Sequence, residues 1–407
     1  MAEELESQTG LLAGIRVIEF SHVMAAPTCG LMLADMGADV IKVERLPGGD
    51  NVRGSAPFAG DVSAPFTMMN RGKRGVALNL KTEAGKAVLK RLVEGADVFF
   101  ENYRMGAADH YGVGYDALKE SCPRLVYCSL SGFGRTGPYR MRGGFDLVAQ
   151  GMSGLMSITG EGPGRPPVKV GAPVTDITAG ILAAMGILGA LVKRAASGRG
   201  QFVDTSLFEA GITHTYWQSA IYMASGQLPQ AMGSAHPLMA PYQAFETKDG
   251  WINLGSANQK LWLKLVELLG APELADDPRF EGPNQRRDNH QELAAALAPY
   301  FRAATTDHWF QRLDAAGIPA GPVLDIKQMT EDAQTNARDM VQEVGGEDGA
   351  IRVLGHPVKY SENPAHISRP APRLGEHTVE VLAEAGYTAD EIKGLKADGA
   401  IGTAEGD

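Results

Sequence analysis

Asp176 combines a nucleophilic side chain with a position suited to chemistry. It ends the segment Val170-Gly-Ala-Pro-Val-Thr-Asp176, and an apolar stretch rich in Ala and Gly follows at residues 181–192. The segment predicts a loop and the stretch a buried helix. At this helix start, Asp176 is either an N-cap that accepts hydrogen bonds from free N–H groups, or a carboxylate nucleophile whose developing oxyanion those groups stabilise. The segment alone favours the cap, because Asp is a common N-cap residue.

Basic residues provide a second kind of candidate. Eight of them fall in segments that we place near strand ends: Arg45, Arg53, Arg71, Lys73, Arg74, Arg104, Arg140 and Arg142. In a chain of net charge −10, such convergence favours an electrostatic site for phosphate. For any single member, a solvated surface arginine is the alternative. The run Asn70-Arg-Gly-Lys-Arg74 is the most compact, because glycine lets backbone and charge approach a ligand together.

Histidines and glycines give weaker signals. His22, at a predicted strand end, is either a general base or a structural or ligand-contacting histidine, and no His pair has the spacing of metal ligands. The run Gly132-Phe-Gly-Arg-Thr-Gly137 matches G-x-G-x-x-G, yet Pro138 and a Gly/Arg-rich loop follow where a dinucleotide fingerprint needs a helix. We therefore predict no metal, nicotinamide or flavin.

Strands and helices alternate through the first 200 residues. Predicted strands cover 16–20, 37–43, 76–80, 96–100 and 125–130, with helices near 28–36 and 82–92. This rhythm predicts an α/β unit with a mainly parallel sheet, whose functional loops lie beyond the carboxyl ends of its strands. Those loops are residues 21–27, 44–54, 101–106 and 132–144.

The second half of the sequence predicts that the chain leaves the first domain, forms a second one and then returns to the first. A long helix is expected over 205–225, then short strands near 242–245 and 251–254 with helices from about 258, 291 and 306. We divide the chain into a large domain (1–200), a helical linker (201–232), a small domain (233–326), and a return linker that completes the large domain (327–407).

Composition excludes several classes of partner. The net charge of −10 argues against nucleic acid and anionic membrane surfaces. The longest apolar run, 179–192, is shorter than the roughly 18 residues of a membrane span, and the acidic N-terminus lacks a signal-peptide core. Cys29, Cys122 and Cys128 are too few for a disulfide framework, so we expect reduced thiols and a cytoplasmic protein.

Several further segments complete an ordered pattern. Its members are Gly14-Ile-Arg-Val-Ile-Glu-Phe20, Gly37-Ala-Asp-Val-Ile-Lys-Val-Glu-Arg45, Asn70-Arg-Gly-Lys-Arg74, Glu101-Asn-Tyr-Arg104, Gly132-Phe-Gly134, Asp176 in its loop, Ser197-Gly-Arg-Gly-Gln201, Gly317-Ile-Pro-Ala-Gly-Pro322 and Leu374-Gly-Glu-His377. In this order and spacing, from Gly14 to about Leu395, the chain resembles the class III CoA-transferases of the formyl-CoA and crotonobetainyl-CoA transferase type (CaiB/BaiF-like). The resemblance implies a Rossmann-like large domain built from both ends of the chain, an inserted small α+β domain, and a homodimer of interlocked rings.

The resemblance also implies a mechanism and a coenzyme site. Asp176 matches the family's nucleophile, which forms a mixed anhydride and then an aspartyl-CoA thioester as CoA moves between an acyl-CoA and a free carboxylate. CoA, as a substrate, is expected to contact Met24, Ala25, Arg45, Leu78, Asn79, Leu80, Lys81, Asn102, Tyr103, Arg104, His110, Arg142, Gly143, Gly144 and Phe145. His22, Arg71, Lys73 and Arg74 join this set as candidates from their own chemistry.

Departures from the family pattern bear on the substrate. His110 stands where members often carry arginine, and Arg104 is expected to compensate. Met24 stands where oxalate-using members place glutamine, and the loop 232–237 is not their polyglycine lid. We therefore expect an acceptor other than oxalate, a four- or five-carbon dicarboxylate with succinyl-CoA as donor.

Two alternatives stay open at this point. An α-methylacyl-CoA racemase shares the fold but needs a second base, and its histidine falls at Phe145, so Asp146 would have to point inward to replace it. A non-catalytic acyl-CoA-binding protein would use Asp176 only as a cap. Whether Asp146 or His236 takes part in catalysis is not fixed by the sequence.

Overall fold

Strands and helices alternate along most of the chain in the computed structural model, which describes residues 10–345 and 350–404. The strands are β1 Arg16–Phe20, β2 Asp39–Arg45, β3 Phe58–Ala59, β4 Val62–Ser63, β5 Arg74–Leu78, β6 Val98–Glu101, β7 Val126–Ser131, β8 Phe202–Ser206, β9 Tyr242–Glu246, β10 Trp251–Gly255, β11 Ala320–Pro322, β12 Val341–Val344, β13 Ile351–Leu354 and β14 Ile401–Gly402. The helices are α1 Ala25–Asp35, α2 Ala64–Asn70, α3 Glu83–Glu94, α4 Ala107–His110, α5 Tyr115–Leu118, α6 Asp146–Met152, α7 Val174–Ser197, α8 Leu207–Thr213, α9 Tyr216–Ser225, α10 Gln259–Leu269, α11 Glu273–Asp276, α12 Pro283–Asp288, α13 His290–Arg302, α14 Thr306–Ala315, α15 Ile326–Glu331, α16 Ala333–Ala337, α17 Thr378–Glu384 and α18 Ala389–Ala397.

The chain forms two compact units. The first contains residues 1–155, 170–216 and 333–407, and the second contains 156–169 and 217–332. A seven-stranded sheet in the order β14-β5-β2-β1-β6-β7-β8 organises the first unit, and all of its pairings are parallel except β14 with β5. Strand order reverses between β1 and β6. In open parallel sheets, ligands bind at the carboxyl ends of the strands at such a switch point.

Alternating apolar residues cover both faces of this sheet. Val17 and Val98 face a core shared with α1 and α7, while Ile18 and Phe99 face a second core shared with α3 and α17. Parallel strands that are buried on both faces read as nearly continuous apolar runs, which is why the sequence predicted them. The predicted parallel α/β character of this unit is confirmed.

The C-terminal segment closes one edge of the sheet. Ile401 pairs with Leu78 in β14–β5, and the Asn79 side chain donates to the Gly399 carbonyl over a sequence separation of 320 residues. Arg74 adds ion pairs to Glu380 and Glu384 on α17. The large unit therefore contains both ends of the described chain.

Helix α7 is the long core helix that carries Asp176. It runs for 24 residues, longer than predicted, and by length and mean hydropathy (1.8 over 18 residues) it would fit a membrane span, a test that core helices also pass. The length argument drawn from the sequence was therefore wrong. Here α7 packs on α1, where a Cβ at Gly180 would come within 2.4 Å of the Ala25 carbonyl oxygen. Glycine thus permits the close approach of the two helices.

Replacing Gly180 by Ala is expected to lower the free energy of unfolding by about 2 kcal/mol, because the added methyl group overpacks the contact between α1 and α7. The same change at Gly189, on the same helix but with nothing within 4 Å of the added Cβ, is expected to raise it by about 0.5–1 kcal/mol through helix propensity. Urea denaturation followed by circular dichroism measures both. Equal effects at the two positions would contradict the packing argument.

The second unit has its own sheet and core. Strands β11, β10 and β9 form an antiparallel sheet, and Phe245, Ile252, Trp262 and Leu297 contribute to the apolar cluster beneath it. All four tryptophans of the chain, Trp217, Trp251, Trp262 and Trp309, fall within this unit.

Two predicted boundaries differ from the units. Residues 202–206, expected in a linker, form β8 at the edge of the large sheet, and residues 156–169 belong to the second unit. The single helix expected over 205–225 is two helices, α8 and α9. The segment Phe202-Val-Asp-Thr-Ser206 favours a strand. Because apolar residues continue directly into α8, the change from the two-residue period of a strand to the 3.6-residue period of a helix was not apparent in the sequence.

Candidate active site

Asp176 lies in the first turn of α7 as its third residue. The N-cap of this helix is Pro173, which has no side chain to cap it. Within residues 10–345 and 350–404, the Asp176 carboxylate makes no hydrogen bond or ion pair. The alternative that Asp176 is the N-cap is therefore wrong, because the helix begins at Val174 and Asp176 lies inside its first turn.

Asp146 supplies the cap instead. Its Oδ1 accepts hydrogen bonds from Thr175 N at 2.9 Å and Thr175 Oγ1 at 2.8 Å, and its Oδ2 accepts from Gln150 Nε2 at 2.8 Å. Gln150 Oε1 in turn accepts from Val170 N at 2.8 Å. Because another carboxylate satisfies the helix terminus, Asp176 is left free for chemistry.

Burial, and then the negative charge of Asp146, raise the pKa of Asp176 to about 6. Both causes disfavour the carboxylate form. At neutral pH the group is still ionised, and it is less stabilised than a hydrated carboxylate. This combination is what a carboxylate nucleophile needs.

A cavity of about 340 Å³ lies at the switch point of the sheet. It gathers three predicted coenzyme residues from three different strand ends, His22 after β1, Arg45 at the end of β2 and Tyr103 after β6. Its lining consists of Ser21, His22, Glu44, Arg45, Gly49, Asp50, Asn51, Tyr103 and Tyr111. An aromatic wall beside an exposed cation suits a heteroaromatic ring that carries phosphate.

The cavity residues are held in place by specific contacts. The Tyr103 ring stacks on Phe20 with a centroid separation of 4.3 Å, and the His22 ring meets Tyr103 edge-on at 5.0 Å. Burial lowers the pKa of His22, with Lys42 and Arg45 adding to the shift against the opposing charge of Asp50. Its Nδ1 is buried without a hydrogen-bond partner in the described chain. A neutral imidazole with an unused nitrogen is suited to contact a ligand.

Asn102 fixes the backbone of the same loop. Its Nδ2 donates to the His22 carbonyl at 2.8 Å, and its Oδ1 accepts from His22 N at 3.0 Å. Met24 is the N-cap of α1 and makes no side-chain cap bond, and Ala25 begins that helix. Because Gly180 touches Ala25, these two predicted residues lie against the helix that carries Asp176.

A glycine loop joins the next group of predicted residues to Asp146. A Cβ at Gly143 would lie 3.6 Å from the Arg104 guanidinium, and Gly144 contacts Gly132 so closely that a Cβ on Gly144 would lie 2.5 Å from the Gly132 Cα. Arg142 is exposed and lies 4.1 Å over the Tyr139 ring. Phe145, which is 76% exposed, is the N-cap of α6. As predicted, Gly132–Gly137 opens no helix.

Residues 78–81 and His110 occupy less direct positions. Leu78 and Leu80 are buried in the apolar core of the sheet, so only their backbone can reach a ligand. Asn79 is tied to Gly399, while Lys81 is exposed. His110 is exposed, and its ring meets Tyr111 of the cavity at a centroid separation of 5.2 Å.

The prediction of a loop cluster of free positive charge is wrong for Arg71, Lys73 and Arg74. All three are buried, and Arg74 begins β5 at the amino end of the parallel sheet, away from the ligand edge. Their carboxylate partners are Asp35 for Arg71, Glu19 for Lys73, and Asp39, Glu380 and Glu384 for Arg74. Since these charges are already neutralised, we remove the three residues from the candidate site.

Asp50, Asn51 and Tyr111 are cavity residues that the sequence analysis missed. Asp50 accepts a hydrogen bond from Val52 N at 3.1 Å and so caps the short 3-10 helix Asn51–Gly54. The Gly-Gly-Asp-Asn run was a cap signal that could have identified it. Arg45 donates to Asn51 Oδ1 at 2.7 Å.

The second unit holds a larger cavity of about 690 Å³. Gln218, Gln243 and Gln291 line it together with the loop 227–235, and its described lining contains no Lys or Arg. His236 lies in this unit between the rings of Trp217 and Tyr242, and its Nδ1 accepts from Leu238 N at 3.1 Å. Despite its size, this cavity is less suited to phosphate than the cavity at the switch point.

Fold and site together define a class of protein. It is an α/β enzyme with a part-buried carboxylate in the first turn of a core helix and an aromatic cavity with an exposed arginine at the switch point of its parallel sheet. Such an arrangement suits transfer of a group carried by a phosphate-bearing coenzyme. Among residues 10–345 and 350–404, no group of three or more His, Cys, Asp or Glu side chains could hold a metal ion.

The chain belongs to CoA-transferase family III, whose sequence profile matches residues 12–378. The resemblance predicted from the ordered motifs is thereby confirmed, and the chain is a CoA-transferase. The non-catalytic alternative is wrong.

Two relatives and one solved structure illustrate the likeness. The succinate–glutarate CoA-transferase of Agrobacterium fabrum is 39% identical over 381 residues, spanning 92% of this chain and 95% of the relative. The acetyl-CoA:oxalate CoA-transferase of Acetobacter aceti is 37% identical over 386 residues, spanning 94% and 97%. The crystal structure of a CAIB/BAIF family protein from Brucella suis matches 93% of this chain and 100% of that chain, with a TM-score of 0.84 and 38% identity.

Proposed function

We propose that the protein transfers CoA from an acyl-CoA thioester to a free carboxylic acid through covalent intermediates on Asp176. The observation that carries this proposal is the part-buried Asp176 carboxylate in the first turn of α7, which has no hydrogen-bond partner among the described residues and a pKa raised to about 6. Covalent catalysis requires a nucleophile that is free of other partners and partly stripped of water. Asp176 meets both conditions because Asp146 takes over the capping of its helix.

The proposed reaction proceeds by acyl substitution at carbonyl carbons. An Asp176 oxygen attacks the thioester carbonyl, the C–S bond breaks, and an aspartyl–acyl anhydride and CoA thiolate result. The thiolate attacks the aspartyl carbonyl, which releases the donor acid and leaves an aspartyl-CoA thioester. An acceptor carboxylate attacks this thioester to give a second anhydride. The returning thiolate then attacks the acceptor's carbonyl, which forms the new acyl-CoA and restores Asp176.

We further propose that the coenzyme occupies the cavity at the switch point and the glycine loop. His22, Arg45 and Tyr103 would meet its nucleotide part, and Arg104 with Gly143 and Gly144 would meet the part nearer to Asp176. The continuity of Arg142–Phe145 with Asp146, which contacts the residue before Asp176, supports this order. Close backbone approach through glycines leaves room for a linear chain.

For the acceptor, we propose a four- or five-carbon dicarboxylate, with succinyl-CoA as donor. The Agrobacterium relative is named for succinate and glutarate, which supports this choice. Met24, at the N-cap of α1, carries a thioether, which cannot donate a hydrogen bond to a small diacid. The Acetobacter relative is named for oxalate, so oxalate is the competitor to test.

The geometry of Asp146 disfavours the racemase alternative. Its carboxylate already accepts from Thr175 N, Thr175 Oγ1 and Gln150 Nε2. Phe145 has no proton to move. A second base opposite Asp176 is therefore not supplied by this pair.

We also infer a cytoplasmic homodimer of interlocked chains. An apolar face of α7 supports association, since Ile177, Ile181, Met185 and Val192 are 37–75% exposed in the single chain. Light scattering of the purified protein is expected to give twice the mass of one chain. The mass of a single chain would contradict the dimer.

Mass spectrometry of the intact protein tests the mechanism. After incubation with succinyl-CoA, the wild type is expected to carry a mass increase of CoA or succinyl, which glutarate or hydroxylamine removes. Asp176→Ala should show neither adduct. Absence of adduct in the wild type, with deuterium exchange at the α-carbon of the acyl group, would overturn the transferase in favour of a racemase. Faster turnover of oxalate than of glutarate would overturn the acceptor.

The rate is also expected to depend on pH. Because the pKa of Asp176 is raised to about 6 and the ionised form attacks, kcat/KM for the acyl-CoA should be constant above pH 7 and fall tenfold per pH unit well below 6. Asp146→Asn removes the negative charge that contributes to the shift, so its acid limb should move to lower pH. A rate that is flat down to pH 5 would contradict the assignment.

A further inference from the structure

Val23 has a backbone conformation that its side chain disfavours. Its φ is +68°, and Val23 and Asp339 are the residues other than glycine with positive φ in the part of the chain that the structure describes. A β-branched residue in the left-handed region is strained, and such strain persists only where surrounding contacts over-determine it. Val23 lies in the loop between β1 and α1, the loop that leads His22 into the switch-point cavity.

Asp50 is the contact that holds this conformation. Val23 N donates to both carboxylate oxygens of Asp50 at 3.1 Å. Asp50 is itself fixed, since Lys42 Nζ lies 3.1 Å from its Oδ2 and its own N–H donates to Glu44 Oε2 at 3.0 Å. With Lys42 fully buried and Asp50 3% exposed, the carboxylate has no freedom to follow a relaxed loop.

The two residues before Val23, Ser21 and His22, are held in place by other side chains. Asn102 binds both backbone groups of His22, and Lys42 Nζ donates to the Ser21 carbonyl at 3.3 Å. Ser21, His22 and Asp50 line the cavity, whereas Val23 does not and is 38% exposed. The strained residue therefore shapes the cavity through its backbone and not through its side chain.

We propose that Asp50 is a positioning residue for the coenzyme, which it serves by locking Val23 in the left-handed conformation. This inference rests on the proposed function, because CoA is the ligand that the cavity would receive. Without the lock, valine relaxes to negative φ, and the turn that places His22 at the cavity and Met24 at the start of α1 is lost. Because the Asp50 contacts hold the strained conformation, the site is formed before the ligand arrives, which removes an ordering cost from binding.

A double-mutant cycle with free CoA as the probe tests the lock. Asp50→Asn is expected to weaken CoA binding about tenfold when residue 23 is valine, and less than about threefold when it is glycine, which adopts positive φ without strain. Val23→Gly alone should keep the affinity within about twofold of the wild type. Calorimetry measures the dissociation constants, and steady-state rates should show the KM for acyl-CoA rising while kcat stays within about threefold. An equal loss in both backgrounds would overturn the proposal, since Asp50 would then act without Val23.

A second variant guards against unfolding of the buried network. Val23→Pro fixes φ near −65° and removes the N–H donor while leaving Lys42 and Asp50 intact. It is expected to weaken CoA binding at least about tenfold with an unchanged circular dichroism spectrum, and affinity equal to that of the wild type would overturn the lock. If the cycle gives the expected CoA affinities but the wild type forms no covalent adduct with succinyl-CoA, the Asp176 mechanism alone is overturned. If the adduct forms but Asp50→Asn weakens CoA binding equally with valine and with glycine at position 23, the lock alone is overturned.

Discussion

Asp176→Asn is expected to lower kcat/KM for CoA transfer by at least about 10⁴-fold, because an amide of the same shape has no nucleophilic oxygen to attack a thioester. The substitution leaves Asp146 as the cap of α7, so the helix should keep its structure. Dissociation of CoA should change little, since no contact of the proposed coenzyme cavity involves Asp176. Steady-state rates with succinyl-CoA and glutarate, together with calorimetry for CoA, measure both quantities.

The matched control for this prediction is Asp307. It is also an aspartate in the first turn of a helix, α14, but it lies exposed in the second unit. Asp307→Asn should leave kcat/KM within about twofold, as expected for a surface change on the other unit. If Asp176→Asn retained more than one hundredth of the wild-type rate, the nucleophile assignment would be wrong.

Lys42→Met is expected to lower the free energy of unfolding of the first unit by about 3–5 kcal/mol, because it leaves buried carboxylates without their positively charged partner. Lys42 Nζ lies 3.2 Å from Glu19 Oε1 and 3.1 Å from Asp50 Oδ2. Lys73, 2.8 Å from Glu19 Oε2, would remain beside Glu19. Burial lowers the pKa of Lys42, but the charges of Glu19 and Asp50 outweigh it, so the pKa is raised. Its stabilisation is then complete at all pH below the ordinary lysine pKa and is lost only above it.

Chemical denaturation at pH 7, followed by far-ultraviolet circular dichroism, measures this loss. Tryptophan fluorescence provides an internal reference, because all four tryptophans fall in the second unit. The control is Lys119→Met, which breaks an exposed, solvent-screened pair with Asp116 and should lower the free energy of unfolding far less than Lys42→Met does. Equal losses at Lys42 and Lys119 would show that the buried network contributes no more than a surface ion pair.

The sheet and the family were predictable because their signals are local. Strands β1, β2 and β7 are recognisable in the sequence as short apolar runs bounded by turns, and the ordered motifs identify a CoA-transferase. The sequence placed Asp176 at the start of the right helix, with the nucleophile favoured by the resemblance and the cap kept as an alternative. The missing information was Asp146, which lies 29 residues from Thr175 and accepts its backbone N–H.

Long-range charge pairing explains the main error of the site. Arg71 and Arg74 read as ligand contacts because their carboxylate partners are distant in sequence, as with Glu384, 310 residues from Arg74. Pairing of this kind depends on how the chain returns and leaves no periodic signal. The strain at Val23 was likewise hidden, since valine gives no indication of positive φ.

The pairing of β14 with β5 sets an order for synthesis and folding. Asn79, next to β5, and Gly399, next to β14, are 320 residues apart, so the β5 edge of the sheet stays open until residues 401–402 have been synthesised. Non-local closure of this kind is slow and leaves unpaired N–H and C=O groups exposed meanwhile. A nascent chain stalled before Ile401 would therefore expose the unpaired edge of β5 as a template for aggregation.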